Sequence, residues 1–391
     1  MLHGIRQQRQ MVLLHQAAQM VRRILRVLNV SLWRSIIMAK HQGFTLIELM
    51  VSIALGLLVV AAGLSLYLAS QRSMNLQNGL GELQQNAIFG LSQLTYDLRH
   101  VNLNTASGER IHNKNLPGSG IVFSTASLPG NFSGVNANLL TDQEKDTGGT
   151  DKDTGGTDMA SDQLTIQFVP QYVAGTGVVD DKGNQDPSDD DVAPISTSNM
   201  FNCEGRRIET VADISVTNPI KPVIVQRYYI AEMKKGTASY SPKRYALFCD
   251  AGWYDPNAGA GATIQELGVN GQQIIQNVDA FKVLLGVQNK DKDMRYLSID
   301  QYNTLMSTIT VPKDYWYVVS VNVAVIAHSS NPIGADPNIN NDRVFNMFSS
   351  SGTSPYGVAT LKPEQKTNSK FIREVFSQVV AFRNTLGGAW E

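Results

Sequence analysis

The hydrophobic pattern divides the chain into an apolar helix, an amphipathic helix and a strand-rich remainder. From Leu49 to Gln71 about 23 residues follow one another without a charged side chain. At 1.5 Å per residue, such a helix matches the roughly 30 Å hydrocarbon core of a bilayer. After it, apolar residues recur in steps of three and four, which predicts one buried face of an amphipathic helix. They are Leu76, Leu80, Leu83, Ala87, Leu91, Leu94, Leu98 and Val101.

Glycines interrupt this amphipathic stretch at Gly79, Gly81 and Gly90. Each costs a helix about 1 kcal/mol relative to alanine. The sequence therefore predicts that the helix bends or melts near residues 79–81.

Beyond residue 104 the pattern changes to strands. Apolar and polar residues alternate in SDQLTIQF (161–168), and PVIVQRYYIAE and RYALFCDAG flank a polar segment, which predicts a hairpin with a long turn. Further strands are predicted at 279–287, 315–329 and 373–384. Strands that follow one long helix favour an α+β domain with the helix laid on an antiparallel sheet.

Two polar segments break the strand pattern. KDTGGTDKDTGGTD (145–158) is a tandem seven-residue repeat without apolar residues to bury, and DDKGNQDPSDDD (180–191) holds six aspartates. Calcium needs several oxygen ligands that converge on one point, but this spacing does not match an EF-hand loop. We interpret both segments as mobile loops, over 141–160 and 180–194, and predict neither a metal nor a cofactor.

A lone carboxylate and a charge step accompany the apolar helix. Glu48 is the only charged residue between Lys40 and Arg72, and residues 1–47 contain no Asp or Glu. The basic residues before it are Arg6, Arg9, Arg22, Arg23, Arg26, Arg34 and Lys40. Because basic flanks stay cytoplasmic, we expect the chain beyond Arg72 on the opposite side of the membrane. Ionisable groups are rare in membrane segments, so Glu48 is a functional candidate.

The Gly43–Phe44 junction precedes the apolar run, whereas an ordinary secretory signal is cleaved after it. Cleavage here would leave an α-amine on Phe44, with a pKa of about 8 and a positive charge at neutral pH. In a bundle of parallel helices, the amine of another chain is the nearest cation for Glu48. Their pairing would fix the axial register between subunits. The alternative stays open that Glu48 interacts with the free N–H groups and the dipole of its own helix.

The segment GFTLIELMVSIA resembles the class III signal of type IV prepilins and of the pseudopilins of type II secretion. The resemblance implies that a prepilin peptidase cuts between Gly43 and Phe44 and methylates the new amine. It also implies that Glu48 meets the amine of a neighbouring subunit, and that the chain has a pilin-like fold.

The segments NVDAFKVLLGV, VVSVNVAVIAHS and EVFSQVVAFRN look like the C-terminal part of PilW-type minor pilins. This second resemblance implies partnership with other minor pilins, the major pilin and a tip adhesin. It implies that the chain is first anchored in inner-membrane lipid. It also implies that the chain then joins a priming or tip complex in pilus assembly, which supports twitching motility, adhesion or DNA uptake. A J-type minor pseudopilin is the alternative, and Glu48 argues against the K-type, which lacks this acid.

The expected domains follow from these features. We predict a leader over 1–43, a transmembrane and assembly helix over 44–71, its amphipathic continuation over 72–104, and an extracytoplasmic β-rich domain over 105–391. Residues 1–37 either are an over-long start, with Met38 as the initiator, or form a basic amphipathic helix at the membrane surface.

Cys203 and Cys249 suit an extracytoplasmic compartment, where a disulfide persists. In the chain-entropy model such a bond would stabilise the fold by roughly 3–4 kcal/mol. Two buried free thiols are the alternative.

Basic and aromatic residues alternate in the predicted hairpin. Such a surface can contact the phosphates and bases of DNA. The candidate residues are Arg227, Lys234, Lys235, Lys243 and Arg244. The alternative is a solvated hairpin whose tyrosines pack on the sheet. A DNA- or glycan-binding surface protein that uses a pilin anchor is accordingly a second class of function.

The motifs of enzymes are missing from the sequence. HExxH, GxSxG, Walker A and Rossmann glycine patterns do not occur. After the predicted cleavage the remaining histidines are His100, His112 and His328, which are scattered along the chain. We therefore predict a structural protein rather than an enzyme.

Overall fold

The structure is a computed structural model of the chain, which forms two compact units, Met1–Gln71 and Arg72–Glu391. It describes residues 45–104, 110–114, 117–129, 132, 135–145, 161–179, 191–209, 221–240, 243–259, 261–269, 271–332, 344–348, 358–359, 361 and 371–385. The predicted leader and the Gly43–Phe44 junction lie outside the described residues.

Helix α1 covers Leu46–Leu98, and its residues up to Gln71 belong to the first unit. Every one of these residues is exposed, and the helix is long and apolar enough to cross a membrane. Two hydroxyls in this part bond to carbonyls of their own helix, Ser52 to Glu48 at 2.7 Å and Ser65 to Ala62 at 2.8 Å. Their polarity is thus satisfied without water, as a lipid environment requires.

In the second unit the helix buries the predicted stripe. Leu83, Ala87, Leu91, Leu94 and Leu98 are buried, while Leu76 and Leu80 are half-buried. Each fully buried leucine contributes about 1.5–3 kcal/mol of hydrophobic free energy.

The helix is continuous through residues 79–81, so the predicted melting there is wrong. Packing of the buried stripe outweighs the intrinsic cost of the glycines. At Gly90 the glycine has a positive role, because a Cβ would collide with Ile275 and the carbonyl oxygen of Ile274. The absent side chain lets α1 approach the sheet closely.

The helix ends at Leu98 rather than at the predicted residue 104. Asn102 and Asn104 adopt left-handed conformations with φ of 63° and 54°. Asn102 also fixes the turn through its side chain, which accepts from the N–H of Gly120 at 3.1 Å and donates to the carbonyl of Asn384 at 3.1 Å. Asparagine is among the few residues that tolerate this backbone region.

The first sheet has five antiparallel strands in the order β1-β2-β6-β9-β10. These strands are β1 Asp142–Lys145, β2 Ser161–Phe168, β6 Val223–Glu232, β9 Tyr245–Tyr254 and β10 Gln272–Gln276. The predicted hairpin is confirmed, since β6 and β9 pair along their whole length. Its turn carries a small ladder of β7 Lys234–Lys235 and β8 Ala238–Ser239.

The second sheet has four antiparallel strands in the order β12-β11-β13-β16. They are β11 Val278–Gln288, β12 Met294–Ser298, β13 Tyr317–His328 and β16 Arg373–Ala381. Three of them confirm the strands predicted at 279–287, 315–329 and 373–384. Helix α2, Ile299–Ser307, follows β12 and begins with a capping box of Ser298 and Gln301.

Smaller strands complete the described fold. They are β3 Val173–Val179, β4 Asp191–Phe201 and β5 Arg207–Glu209 in one three-stranded sheet, and β14 Phe345–Asn346 with β15 Val358–Ala359. Each of the two predicted loops is shorter than expected at one of its ends. Residues 142–145 and 191–194 pair as strands, and residues 146–160 and 180–190 lie outside the described residues.

One apolar core joins the buried stripe of α1 to both sheets and to α2. It contains Leu94, Leu164, Tyr228, Phe281 and Tyr302, all with no exposed surface. Polar bonds also link the sheets: the Asp162 carboxylate on β2 accepts from the N–H of Val283 on β11 at 2.7 Å. The long helix and the antiparallel sheets confirm the α+β prediction.

Candidate functional site

The first turn of α1 holds the lone carboxylate. Thr45 precedes the helix, and its hydroxyl accepts a hydrogen bond from the backbone N–H of Glu48 at 3.3 Å. The carbonyl of Thr45 accepts from the N–H of Leu49 at 3.2 Å. Thr45 therefore acts as the N-cap, and Thr45-x-x-Glu48 has the spacing of a capping box.

The carboxylate of Glu48 is exposed and makes no hydrogen bond or ion pair to another described residue. In the first turn it faces the positive end of the helix dipole. In a complete capping box the carboxylate would also accept from the N–H of Thr45, and that bond is not formed among the described residues. The carboxylate remains available to a partner.

The disulfide joins Cys203, in the turn after β4, to Cys249 on β9, with 6.1 Å between the Cα atoms. This confirms the predicted pair. The bonded turn spans Asn202 to Gly205, where Gly205 has φ 79°. Asn202 Oδ1 accepts from the backbone N–H groups of Glu204 and Arg206, at 3.1 and 2.9 Å. Covalent and polar bonds together fix this turn on the first sheet.

Arg227 does not belong to an exposed basic surface, contrary to the prediction. It is only 4% exposed, and its guanidinium lies 3.7 Å from the ring centre of Tyr229. Arg227 and Asp250 are direct cross-strand neighbours on β6 and β9. Burial lowers the pKa of Arg227, while Tyr229 and Asp250 oppose that shift. The residue is a structural part of the sheet and has little surface exposed to a ligand.

The other predicted basic residues lie near the hairpin turn but are partly engaged. Lys234 and Lys235 are exposed on β7, and Lys243 lies 3.7 Å from the carboxylate of Glu232. The guanidinium of Arg244 lies 5.2 Å from the ring centre of Tyr240. The structure thus separates Arg227 from the cluster and leaves a smaller basic patch.

Sequence reasoning missed the polar groups that are buried inside the second unit. Asp97 on α1 is 3% exposed, and Arg373 Nε bonds the buried Asp279 carboxylate at 2.6 Å across the second sheet. Burial lowers the pKa of the nearby His328, which favours its neutral form. A charged residue inside a predicted apolar strand or helix face was the only sequence signal for these groups.

Two family matches agree with this geometry. Residues 38–64 match the prokaryotic N-terminal methylation motif, which covers the start of α1 and Glu48. Residues 227–384 match the family described as type IV pilus-assembly protein W, PilW, and this match runs from the middle of β6 to beyond β16. These matches support a type IV minor pilin of the PilW type. Such pilins are structural subunits, and the motif with its apolar helix indicates a membrane-anchored protein.

One solved structure is similar to this chain over most of its length. The type IV-like pilin from Thermus thermophilus aligns with 78% of this chain and 98% of its own, at 11% identity and a TM-score of 0.29. No curated protein sequence matches the chain significantly.

Proposed function

We propose that this minor pilin is cut by a prepilin peptidase between Gly43 and Phe44, is methylated on Phe44, and then enters a type IV pilus. The observation that carries the proposal is the exposed apolar part of α1 with one carboxylate in its first turn. Before extraction the helix lies in the inner membrane with the second unit on the periplasmic side, as the basic flank favours. After assembly the second unit faces outward on the pilus.

The role of Glu48 follows from the cost of its charge. A carboxylate at the bilayer centre costs on the order of 2.5–3.5 kcal/mol on insertion scales. The amine of Phe44 in a neighbouring subunit is cationic near neutral pH, so pairing removes two costly charges at once. Within its own helix, the capping-box partner of this carboxylate would be the N–H of Thr45, and the described residues show no such bond. We assign the carboxylate to the intersubunit contact that sets the axial register.

In the pilus, this chain belongs to a priming or tip complex with other minor pilins. The complex contacts the major pilin below and a tip adhesin above. The large second unit, Arg72–Glu391, supports this placement, because a bulky domain suits a cap better than a repeated filament subunit. Twitching motility, adhesion or DNA uptake would then depend on this chain through assembly.

Gene deletion and one substitution test the proposal together. Deletion should abolish surface pili and twitching while exoenzyme secretion continues. Loss of secretion with normal pili would instead identify a J-type pseudopilin. Glu48→Val should be cleaved normally but enter sheared pili poorly, whereas Glu82→Gln, an acid of the same helix outside the apolar part, should enter normally. Equal incorporation of both variants would refute the pairing role.

A further inference from the structure

A cleft of about 500 Å³ opens on the second unit between the C-terminal part of α1 and the disulfide-bonded turn. Its volume lies within the range of small-molecule binding sites. Gln93 and Tyr96 of α1 line it, together with residues 201–205. Gln272 and Gln273 of the edge strand β10 also line it.

Two aromatic rings stand exposed at this cleft. Tyr96 is 55% and Phe201 57% exposed. Tyr96 is held by a T-shaped contact with His100, with 4.7 Å between ring centres. Phe201 ends β4 and pairs in register with Arg207 of β5. Such rings offer apolar faces to a ligand at low cost in conformational entropy.

The polar groups of the lining are almost all amides, from Gln93, Asn202, Gln272 and Gln273. Each amide both donates and accepts hydrogen bonds. Among the described lining residues the one charged side chain is Glu204, which is paired with Arg206 and accepts from the N–H of Ala251 at 3.1 Å. The part of the lining that the structure describes therefore offers no cation for a phosphate or a sulfate.

The disulfide keeps the cleft formed before a ligand arrives. Cys203 lies in the lining, and its partner Cys249 is the register neighbour of Gln272. The bond thus fixes the turn relative to the amides of β10. A site that is formed in advance spends less binding free energy on ordering.

From this combination we propose that the cleft binds a neutral saccharide. A sugar ring presents a C–H face that stacks on aromatic rings, and a rim of hydroxyls that both donate and accept. Tyr96 and Phe201 supply the first kind of contact, and the amides of Gln272 and Gln273 supply the second. Gln93 adds its Oε1 and Asn202 its Nδ2, because Gln93 Nε2 already donates to Asp97 and Asn202 Oδ1 already accepts two backbone N–H groups. The inference does not depend on the proposed role in pilus assembly.

Binding of the full chain to an array of immobilised neutral and acidic oligosaccharides tests the proposal. The detergent should lack a sugar head group, because such a head group would compete. The native chain should bind a subset of neutral glycans, and Tyr96→Ala, Phe201→Ala and the double variant Gln272→Ala with Gln273→Ala should each weaken binding about tenfold, or roughly 1.4 kcal/mol. Tyr296→Ala is the matched control, since Tyr296 is 48% exposed on β12, away from the cleft lining, and should bind as the native chain does.

Thermal unfolding of every variant should match the native chain, so that weaker binding is not a loss of fold. The proposal is overturned if the native chain binds no neutral glycan, or if the cleft variants bind as well as Tyr296→Ala. Salt-sensitive binding to acidic glycans alone would equally overturn it, because that result would require a cationic surface elsewhere.

Discussion

The hydroxyl of Tyr228 on β6 lies 3.0 Å from Oδ2 of Asp97 on α1 and donates a hydrogen bond to it. This bond ties the helix to the first sheet inside the apolar core. Burial raises the pKa of Asp97 to about 6, against the opposing effect of hydrogen bonds from Tyr228 and Gln93. The carboxyl is thus the part of this contact that responds to pH.

Stability should depend on pH through Asp97. Because its folded pKa is about 6 and the ordinary value is 3.8, its contribution is fully present below about pH 4 and is lost as pH rises through 6. This carboxyl alone changes the free energy of unfolding by up to about 3 kcal/mol. Asp97→Asn should abolish that dependence and be more stable than the native chain at pH 8. Urea unfolding of both chains at pH 5 and pH 8 measures it, and equal pH slopes would contradict the assignment.

Two glycines of α1 should respond in opposite directions to alanine. Gly90→Ala should lower the free energy of unfolding by about 1–3 kcal/mol, because the new Cβ meets Ile275. Gly81→Ala has open space around its Cβ and should stabilise by up to about 1 kcal/mol through helix propensity. Denaturant midpoints of the two variants give the comparison. A neutral Gly90→Ala would show that the helix does not approach the sheet this closely.

The buried ion pair of the second sheet should matter more than an exposed one. Arg373→Met deprives the buried Asp279 carboxylate of this cation and should cost about 3–5 kcal/mol. Lys290→Met is the control. It breaks a surface ion pair in which Lys290 Nζ lies 2.8 Å from Asp314 Oδ1, and because water screens this pair the substitution should change the stability little. Thermal unfolding compares them, and similar losses from both variants would count against the account.

Removing the disulfide should weaken the second unit. Cys203 and Cys249 are 46 residues apart, and closing such a loop contributes about 4 kcal/mol in the chain-entropy model. The double variant Cys203→Ser with Cys249→Ser should unfold at lower denaturant concentration than the native chain. Reductant should shift the native chain toward the variant and leave the variant unchanged. An unchanged native midpoint under reductant would mean that the bond does not stabilise the fold.

The elements were largely predictable from the sequence, because periodicity reports which face of an element is buried. The stripe from Leu83 to Leu98 and the strands β6, β9, β11, β13 and β16 follow this rule. Arg227 shows its limit. Most residues of β6 are buried on both faces of the strand, so the alternation of apolar and polar residues does not report their burial. The pattern of QRYY therefore cannot tell a buried arginine from an exposed one.

The cleft beside the disulfide was not predictable either. Its walls come from residues near 93, 201 and 272, which only the paired register of β9 and β10 and the packing of α1 bring together. Glu48 was predictable for the opposite reason. Its significance rests on a local pattern, a single acid beside an uncharged run, and it requires no tertiary contact.

The central claim is that proteolysis creates the positive terminus that Glu48 pairs with. Intact-mass and peptide mass spectrometry of the chain extracted from membranes and from sheared pili tests it most directly. The account predicts an N-terminal peptide that begins with methylated Phe44. A chain that still contains the Gly43–Phe44 peptide bond in assembled pili would contradict it.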